Sequence, residues 1–212
     1  MAWDPFGTLG NARWIGGGQW AGKSTVARLL AFRHGLTAYH YDYHDARGHN
    51  DRRKALRLSR NEPPDGPSAE DVWVRPTPAE MAADTIRGFA DRFEWVLDDL
   101  RALVSPNPIL AEGWGLRPDL MAPLLTDVGH MVVMVPTDEF RAVQLSRMPR
   151  ASTFHHDVSD PERAQRNRLE RDRLVTLDAV ESARRLGVRV IEVDGSRDAE
   201  AVADEVGAHF GL

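Results

Sequence analysis

The stretch that decides the fold is Gly17-Gly18-Gln19-Trp20-Ala21-Gly22-Lys23-Ser24, which matches the pattern Gly-x-x-x-x-Gly-Lys-Ser/Thr. Glycines allow a backbone with positive φ, so that successive N–H groups turn inward around a phosphate. Lys23 adds a point charge, and the Ser24 hydroxyl is suited to bind Mg²⁺. A helix that begins at Lys23 directs the positive end of its dipole at the same anion. The stretch, with Thr25 after it, therefore predicts a binding site for the phosphates of a nucleotide.

The residues on either side of this stretch favour the same interpretation over an incidental glycine-rich turn. A short apolar strand, Arg13-Trp14-Ile15, precedes it, and the apolar positions within 26–30 predict an amphipathic helix that ends at Gly35. The chain contains 25 arginines but only two lysines, and one of the two is Lys23. Because a lysine is retained here in a chain that otherwise uses arginine, we expect Lys23 to serve chemistry.

Short apolar runs recur along the chain, and helical segments separate them. The runs lie at Trp14-Ile15, 38–41, 109–111, 131–135 and 188–193. Runs this short are typical of strands that are buried on both faces of a parallel sheet. Strands that alternate with helices require parallel crossovers. The sequence therefore predicts one domain over 1–212, with a three-layer α/β fold around a parallel sheet of five strands.

Helix ends can be predicted from local signals. Thr77-Pro78-Ala79-Glu80 has the pattern of a capping box, and apolar residues at steps of three and four over 82–103 predict one long helix. Asp160 followed by proline starts another helical region, which Gly187 ends. Between these regions, the three prolines and one glycine of 61–68 predict a loop in an insertion that extends to Pro78.

Composition excludes several classes of protein. There is no cysteine, so disulfides, thiol nucleophiles and thiolate metal sites are excluded. The formal net charge of −5 argues against binding to duplex nucleic acid, which needs a basic face. No apolar run approaches the roughly 18 residues of a membrane span, and Met1 to Pro5 do not resemble a leader. We therefore expect a soluble cytoplasmic protein; its oligomeric state stays open.

With these elements in order, the chain resembles the P-loop kinases of small molecules, a group that includes nucleoside monophosphate, shikimate, gluconate and zeta-toxin-like kinases. The order of elements is similar over most of the chain, and the phosphate loop is the most specific part of the likeness. The resemblance implies ATP and Mg²⁺ as cofactors and a small-molecule acceptor as partner. It also implies a helical acceptor-binding insertion at 43–104 and an arginine-rich lid at 147–173.

The resemblance also implies roles for two carboxylates. Asp42 stands where kinases that phosphorylate hydroxyl groups have a carboxylate facing the acceptor, with Asp45 as the alternative residue. Glu112 directly follows a buried apolar run, and it resembles the acidic position of P-loop enzymes that holds Mg²⁺ through water. The alternatives are a solvent-exposed loop aspartate and a strand-end glutamate that caps the next helix.

Arginines are enriched about twofold in the segment 147–173, which matches the lid. Arginine suits a lid that closes over phosphates, because its planar guanidinium binds phosphate oxygens through two hydrogen bonds. The alternative is a solvated helix whose arginines pair with Glu162, Glu170 and Asp172. Arg168 and Arg171 are three residues apart and share a face, so they are the preferred lid arginines. The seven arginines are Arg147, Arg150, Arg163, Arg166, Arg168, Arg171 and Arg173.

The resemblance further implies an adenine site near the C-terminus. Arg147 is a candidate for stacking on the base. Gly195 and Ser196 belong to an Asp-Gly-Ser turn that lies beside adenine in nucleoside monophosphate kinases. Ser196 is at the same time a candidate N-cap for the last helix.

The acceptor is less defined by the sequence. Six basic residues follow the second strand, and they either bind an anionic acceptor or form a solvated helix face. They are Arg47, Arg52, Arg53, Lys54, Arg57 and Arg60. Five aromatic residues either stack on a planar substrate or anchor the core and loops. They are Tyr39, Tyr41, Tyr43, Trp73 and Trp114.

We therefore expect an ATP-dependent phosphotransferase acting on a small hydroxylated or phosphorylated metabolite. Two other functions remain open. One is a regulatory ATP-binding module without catalysis. The other is a kinase of nucleic-acid ends, for which the two arginine clusters would provide a local basic track.

Overall fold

The sheet consists of five strands that all run parallel, in the order β2-β3-β1-β4-β5. The computed structural model describes residues 4–103, 105–147, 154 and 157–212. The strands are β1 (Arg13–Gly17), β2 (Thr37–His40), β3 (Ile109–Glu112), β4 (Met131–Pro136) and β5 (Arg189–Val193). The predicted parallel sheet of five strands is confirmed, and each strand lies on one of the predicted apolar runs.

Ten α-helices lie within the described ranges. They are α1 (Lys23–His34), α2 (Tyr41–Ala46), α3 (Gly48–Ser59), α4 (Ala69–Trp73), α5 (Pro78–Asp91), α6 (Phe93–Arg101), α7 (Pro118–Met121), α8 (Asp138–Arg147), α9 (Pro161–Leu186) and α10 (Ala199–Phe210). A short 3₁₀ turn, Val128–His130, precedes β4. None of the helices in these ranges combines the length and the apolar character that a membrane crossing needs.

Helices cover both faces of the sheet, which confirms the predicted three layers. On one face, α1 and α10 pack on strand residues such as Ile15 and Val132. On the other face, α5, α6 and α9 pack on residues such as Trp14 and Val133. Because both faces are buried, successive strand residues are apolar, as the short apolar runs indicated.

The long helix predicted over 82–103 is interrupted, and this part of the prediction was wrong. Arg92 leaves the helical conformation, with φ of −106° and ψ of 2°, and separates α5 from α6. Its Nε donates a hydrogen bond of 2.9 Å to the Oδ1 atom of Asp45, which fixes the side chain at the break. The apolar residues Phe89, Phe93 and Val96 keep their spacing across the break, so the sequence pattern carries no sign of it.

Two further local expectations differ from the structure. Strand β2 ends at His40, and Tyr41 already begins α2, so Asp42 lies in the first turn of a helix. The N-cap of α10 is Asp198, whose side chain accepts a hydrogen bond from the Ala201 N–H. Ser196 is not the cap, because its N–H and hydroxyl both donate to Asp194 within a tight turn.

The capping box at the start of α5 is present as predicted. The Thr77 hydroxyl accepts from the Glu80 N–H, and the Glu80 carboxylate accepts from the Thr77 N–H. The two side chains thereby satisfy backbone donors that would otherwise have no partner in the first helical turn.

We expect Thr77→Ala to lower the free energy of unfolding by about 1 kcal/mol, since both reciprocal hydrogen bonds depend on the cap. Ser59→Ala is the matched control, because the Ser59 hydroxyl donates only to the Leu56 carbonyl of its own helix. Urea denaturation of the two variants measures the difference. Equal effects of the two substitutions would contradict the role assigned to the cap.

Candidate functional site

The loop between β1 and α1 has the conformation that the motif predicted. Gly17 has φ of 114°, and a Cβ atom there would lie 2.2 Å from the carbonyl oxygen of Met134, so only glycine fits. Gly22 also has a positive φ, of 78°, directly before the first residue of α1. Trp20 adopts a φ of 69°, which is unusual for a residue with a side chain. The loop is therefore held in a tight turn against β4.

Lys23 is buried at the base of this loop. Its Nζ donates a hydrogen bond of 2.6 Å to the Gly18 carbonyl oxygen. Burial lowers the pKa of the Lys23 ammonium, while the nearby carboxylates of Asp42 and Glu112 act to raise it. The positive charge is thus held in a poorly solvated place, where its attraction for a phosphate is stronger than it would be in water.

Asp42 and Glu112 lie close to Lys23 because β1, β3 and β2 are neighbours in the sheet. Glu112 is the last residue of β3, in register with Ile15 on one side and His40 on the other. Asp42 follows β2, and its Oδ1 accepts a hydrogen bond of 3.3 Å from the Trp114 N–H. Burial raises the pKa of the Asp42 carboxyl, and Glu112 adds to this, whereas Lys23 and the Trp114 N–H oppose it.

The donors around Lys23 fit a magnesium ion. The Ser24 hydroxyl group belongs to an exposed residue that lines the cavity described below. Glu112 is buried; its Oε1 lies 2.8 Å from the His40 Nδ1, and its Oε2 has no hydrogen-bond partner within the described part of the chain. Hydroxyl and carboxylate oxygens are ligands that Mg²⁺ prefers. Glu112 does not line the cavity itself.

Across the described ranges, no group of three or more His, Asp and Glu side chains is arranged to hold a metal ion. A cation at Ser24 would therefore take most of its ligands from water and from nucleotide phosphates, as Mg²⁺ commonly does.

A cavity of about 830 Å³ opens beside the phosphate loop. Residues from the loop, from six helices, from the end of β5 and from the turn after β5 line it. They are Gln19, Trp20, Ala21, Gly22, Lys23, Ser24, Thr25, Val26, Asp42, Trp73, Phe140, Gln144, Arg168, Arg171, Asp172, Val193, Gly195, Arg197, Asp198, Ala199 and Val202. The volume is large enough for a nucleotide-sized ligand.

Four residues predicted as catalytic lie on the walls of this one cavity: Lys23, Asp42, Arg168 and Arg171. The two arginines project from α9 together with Asp172, whose Oδ1 lies 2.7 Å from the Arg171 Nε. Burial raises the pKa of the Asp172 carboxyl against the opposing effect of both arginines. The cavity therefore brings Lys23, Arg168 and Arg171 together with the carboxylates of Asp42, which is an exposed residue, and of Asp172, which is buried.

Of the remaining predicted site residues, some line the cavity and others do not. Gly195 lines the cavity, but Ser196 and Arg147 do not, and Arg147 is exposed at the end of α8. Asp45 is engaged by two arginines: its Oδ1 accepts from Arg53 at 3.2 Å and from Arg92 at 2.9 Å. Burial would raise the Asp45 pKa, but His49 and these arginines outweigh it, so the pKa is lowered. This arrangement favours Asp42 over Asp45 as the residue that faces a ligand.

Part of the predicted lid at 147–173 lies outside the described residues, including Arg150. Its described C-terminal part is helical, within α9, and Ser159 and Asp160 precede that helix. Asp160 is the N-cap of α9, since its side chain accepts from the Arg163 N–H.

The basic residues of 47–60 mostly contact residues nearby. Arg52 lies 3.5 Å from Asp99, Arg53 pairs with Asp45, and Lys54 lies 3.8 Å from Asp65. None of the six lines the cavity.

The aromatic candidates divide into three groups. Tyr39 and Tyr41 are buried in the core, and Tyr43 is exposed. Trp73 and Trp114 instead contact the Arg171 guanidinium, whose carbon lies 5.1 Å and 5.2 Å from the centroids of the two rings.

Sequence reasoning missed several residues of the cavity wall. Asp172 was considered only as a partner of arginines on a solvated helix, but it is buried. Phe140 packs so closely on Gly195 that a Cβ atom at Gly195 would lie 2.6 Å from its ring. Gln144 and Arg197 also line the cavity. For Asp172, the sequence offered one signal, its position between two arginines. Phe140 and Gln144 belong to no sequence motif, so nothing in the sequence indicated their place in the cavity wall.

Comparison with known proteins found no family profile that matches the chain and no matching curated protein. Among solved structures, the chain is similar to a gluconokinase from Sinorhizobium meliloti 1021, with a TM-score of 0.43 and 16% identity over 96% of this chain and 93% of that one. It is also similar to shikimate kinase from Aquifex aeolicus vf5, with a TM-score of 0.37 and 15% identity over 93% of this chain and 94% of that one. A third structure, NadR protein in complex with NR, has a TM-score of 0.36 and 13% identity over 97% of this chain and 54% of that one.

We expect Asp42→Asn to stabilise the fold at neutral pH. A carboxyl whose pKa is raised by folding destabilises the folded state above that pKa, and the effect disappears below the ordinary aspartate pKa of about 3.9. Because Asp42 is an exposed residue, solvent screening limits this cost, and the variant should raise Tm at pH 7 by at most about 2–4 °C, the shift that corresponds to about 1 kcal/mol in a chain of this length. Thermal unfolding at pH 7 and at pH 3.5 measures this difference.

The control is Asp65→Asn, because the Asp65 carboxyl is exposed and has only a 3.8 Å contact with Lys54. This control should leave Tm at pH 7 unchanged. A lower Tm for Asp42→Asn at pH 7 would contradict the burial cost assigned to Asp42.

Proposed function

We propose that the protein is an ATP- and Mg²⁺-dependent phosphotransferase that acts on a small hydroxylated or phosphorylated metabolite. One observation carries the proposal: the buried Lys23 of the phosphate loop shares a cavity with the carboxylate of Asp42 and the guanidinium groups of Arg168 and Arg171. A nucleotide-binding loop, an acceptor-orienting carboxylate and cations for the transferring group are the parts that phosphoryl transfer requires.

In this proposal each residue has a separate task. The loop N–H groups and Lys23 bind the phosphates of ATP, and Arg168 and Arg171 neutralise charge on the transferring group. Asp42 orients the acceptor hydroxyl for in-line attack and accepts its proton. The acceptor oxygen forms a bond to the γ-phosphorus as the bond from that phosphorus to the β-γ bridging oxygen breaks, which leaves ADP. Catalysis rests on positioning and electrostatics.

Mg²⁺, when bound at Ser24 and through water to Glu112, would neutralise charge on the β- and γ-phosphates. His40 would keep the Glu112 carboxylate oriented through the contact between its Nδ1 and Oε1.

The proposal also assigns regions of the chain. Residues 43–104 would bind the acceptor, and 147–173 would form the lid. Two features support the first assignment: Asp42 directly precedes the insertion, and Trp73 within it lines the cavity. In this proposal, Phe140 and Gly195 offer apolar surface to the adenine base of ATP. Contacts of Arg147 and Ser196 with adenine stay predictions.

A screen for coupled ADP release tests the function. The acceptors would be nucleosides, nucleoside monophosphates, sugars and aminoglycoside-like alcohols, with ATP and Mg²⁺ present. We expect turnover with at least one acceptor class, and loss of it in Asp42→Asn. Stoichiometric ATP binding without turnover would instead indicate a regulatory ATP-binding module. Steeply salt-dependent binding of oligonucleotides would indicate a kinase of nucleic-acid ends.

Lys23→Ala should lower kcat/KM by at least about 100-fold while the fold remains, because it removes a buried charge that would contact the transferring phosphates. Arg28→Ala is the matched control: it removes one positive charge from the exposed side of the same helix, and Arg28 does not line the cavity. Coupled ADP release measures activity, and circular dichroism checks the fold. A folded and active Lys23→Ala variant would contradict the mechanism.

The pH profile of kcat/KM should reflect Asp42 on its acid side. Because burial raises the pKa of Asp42, the carboxylate needed to accept the proton is lost as pH falls through a value above the ordinary one of about 3.9. The lowered pKa of Lys23 means that its charge is lost at lower pH than in a free lysine as pH rises. An acid limb at or below pH 3.9 would contradict the role of Asp42.

A further inference from the structure

The Arg171 side chain is fixed by contacts on several sides. Its guanidinium carbon lies 5.1 Å from the centroid of the Trp73 ring and 5.2 Å from that of Trp114. Its Nε lies 2.7 Å from the Asp172 Oδ1, and the side chain is only 12% exposed. An arginine that contacts two indole faces and a buried carboxylate has lost most of its rotational freedom before any ligand binds.

The two tryptophans are themselves anchored, each to a different part of the site. Trp73 is the last residue of α4, and its carbonyl oxygen accepts a hydrogen bond of 3.0 Å from the buried Asn167 Nδ2 of α9. Trp114 follows β3. Its ring packs edge-on against Phe89, with centroids 4.9 Å apart, while its backbone N–H donates to Asp42.

The contacts of Arg171 leave its terminal amino groups available. Within the described ranges, the Nη atoms of Arg171 make no hydrogen bond, and its Nε forms an ion pair with the Asp172 Oδ1 at 2.7 Å without a hydrogen bond. The residue lines the same cavity as Lys23. A planar guanidinium that contacts two aromatic rings and pairs with a carboxylate through its Nε can still offer its two Nη groups to phosphate oxygens.

We propose that Trp73 and Trp114 are positioning residues that hold the Arg171 guanidinium for the γ-phosphate of the nucleotide. This inference rests on the proposed function and deepens it. Trp114 joins Arg171 to Asp42, which faces the acceptor, and Trp73 joins Arg171 to the insertion at 43–104. The acceptor side and the phosphate side of the cavity thus share one arginine.

A purely structural role for the two rings makes a different prediction. Rings that only fill space would affect binding of ADP and ATP alike, and their loss would add to the loss of Arg171. Rings that act through Arg171 affect only the ligand that carries a γ-phosphate, and their loss has no effect once Arg171 is gone.

A double-mutant cycle separates these roles. Trp73→Leu, Arg171→Ala and the double variant are compared with the native chain for binding of AMP-PNP and of ADP, each with Mg²⁺, by titration calorimetry. We expect Trp73→Leu to weaken AMP-PNP relative to ADP by about 2- to 30-fold, the range of a cation–π contact. In the Arg171→Ala background the same substitution should change this ratio by less than about 1.7-fold, which corresponds to the lower additivity error of about 0.3 kcal/mol.

Two further variants sharpen the test. Trp73→Phe keeps an aromatic face and should recover most of the native ratio of the two affinities. Trp95→Leu is the matched control, because Trp95 also has an arginine over its ring, Arg52 at 5.9 Å, but does not line the cavity. This control should leave the ratio unchanged.

The inference is overturned if Trp73→Leu changes AMP-PNP and ADP binding equally, or if the effects of Trp73→Leu and Arg171→Ala add. It is also overturned if Trp73→Leu and Trp73→Phe behave alike, because the aromatic face would then be irrelevant. These outcomes leave the proposed function intact where the native chain still transfers phosphate. A native chain that binds neither nucleotide refutes the proposed function together with the inference.

Discussion

The burial of one positive charge is the constraint on which the site depends. Lys23 lies at the start of α1, with its ammonium group against the Gly18 carbonyl and away from water. A buried charge requires compensation, and the two carboxylates that provide it, Asp42 and Glu112, come from other parts of the chain. The raised pKa of Asp42 comes first from burial and then from the repulsion of Glu112, and Lys23 opposes both. The ammonium therefore attracts each carboxylate while the two carboxylates repel each other, and a triphosphate with its cation would enter this arrangement of charges.

Strand order explains how these groups meet. The central position of β1 brings the phosphate loop between the ends of β3 and β4, and β2 on the far side of β3 delivers Asp42. Gly17 lies so close to Met134 that no residue with a Cβ atom fits at this position of the loop. A parallel sheet gathers the carboxyl ends of its strands at one edge, so residues distant in sequence share a crevice. The chemistry of the site thus follows from the topology as much as from the motif.

Much of the fold could be predicted from the sequence, because strands buried on both faces and helices with caps leave local signals. The phosphate loop was predictable residue by residue, since each position has a backbone or charge requirement. The break at Arg92 was not, because it depends on a contact with Asp45 from a distant segment while the apolar spacing continues. The surroundings of Arg171 were equally hidden: Trp73 and Trp114 were candidates for stacking on a ligand, and only tertiary packing of α4 and of the segment after β3 beside α9 brings both rings to an arginine. Asp172 has no motif of its own, and its burial depends on the same packing.

The length of α9 has a mechanical consequence. The helix has 26 residues, about 39 Å, and it runs unbroken from Asp160 to Gly187. Arg168 and Arg171 lie on the same rigid rod as Val175, Ala179 and Ala183, which are buried residues of the core. A rod anchored in this way cannot swing at one end without disturbing close-packed side chains at the other. The wall that carries Arg168 and Arg171 is therefore fixed, so closure of the proposed lid would have to come from movement of segments outside α9.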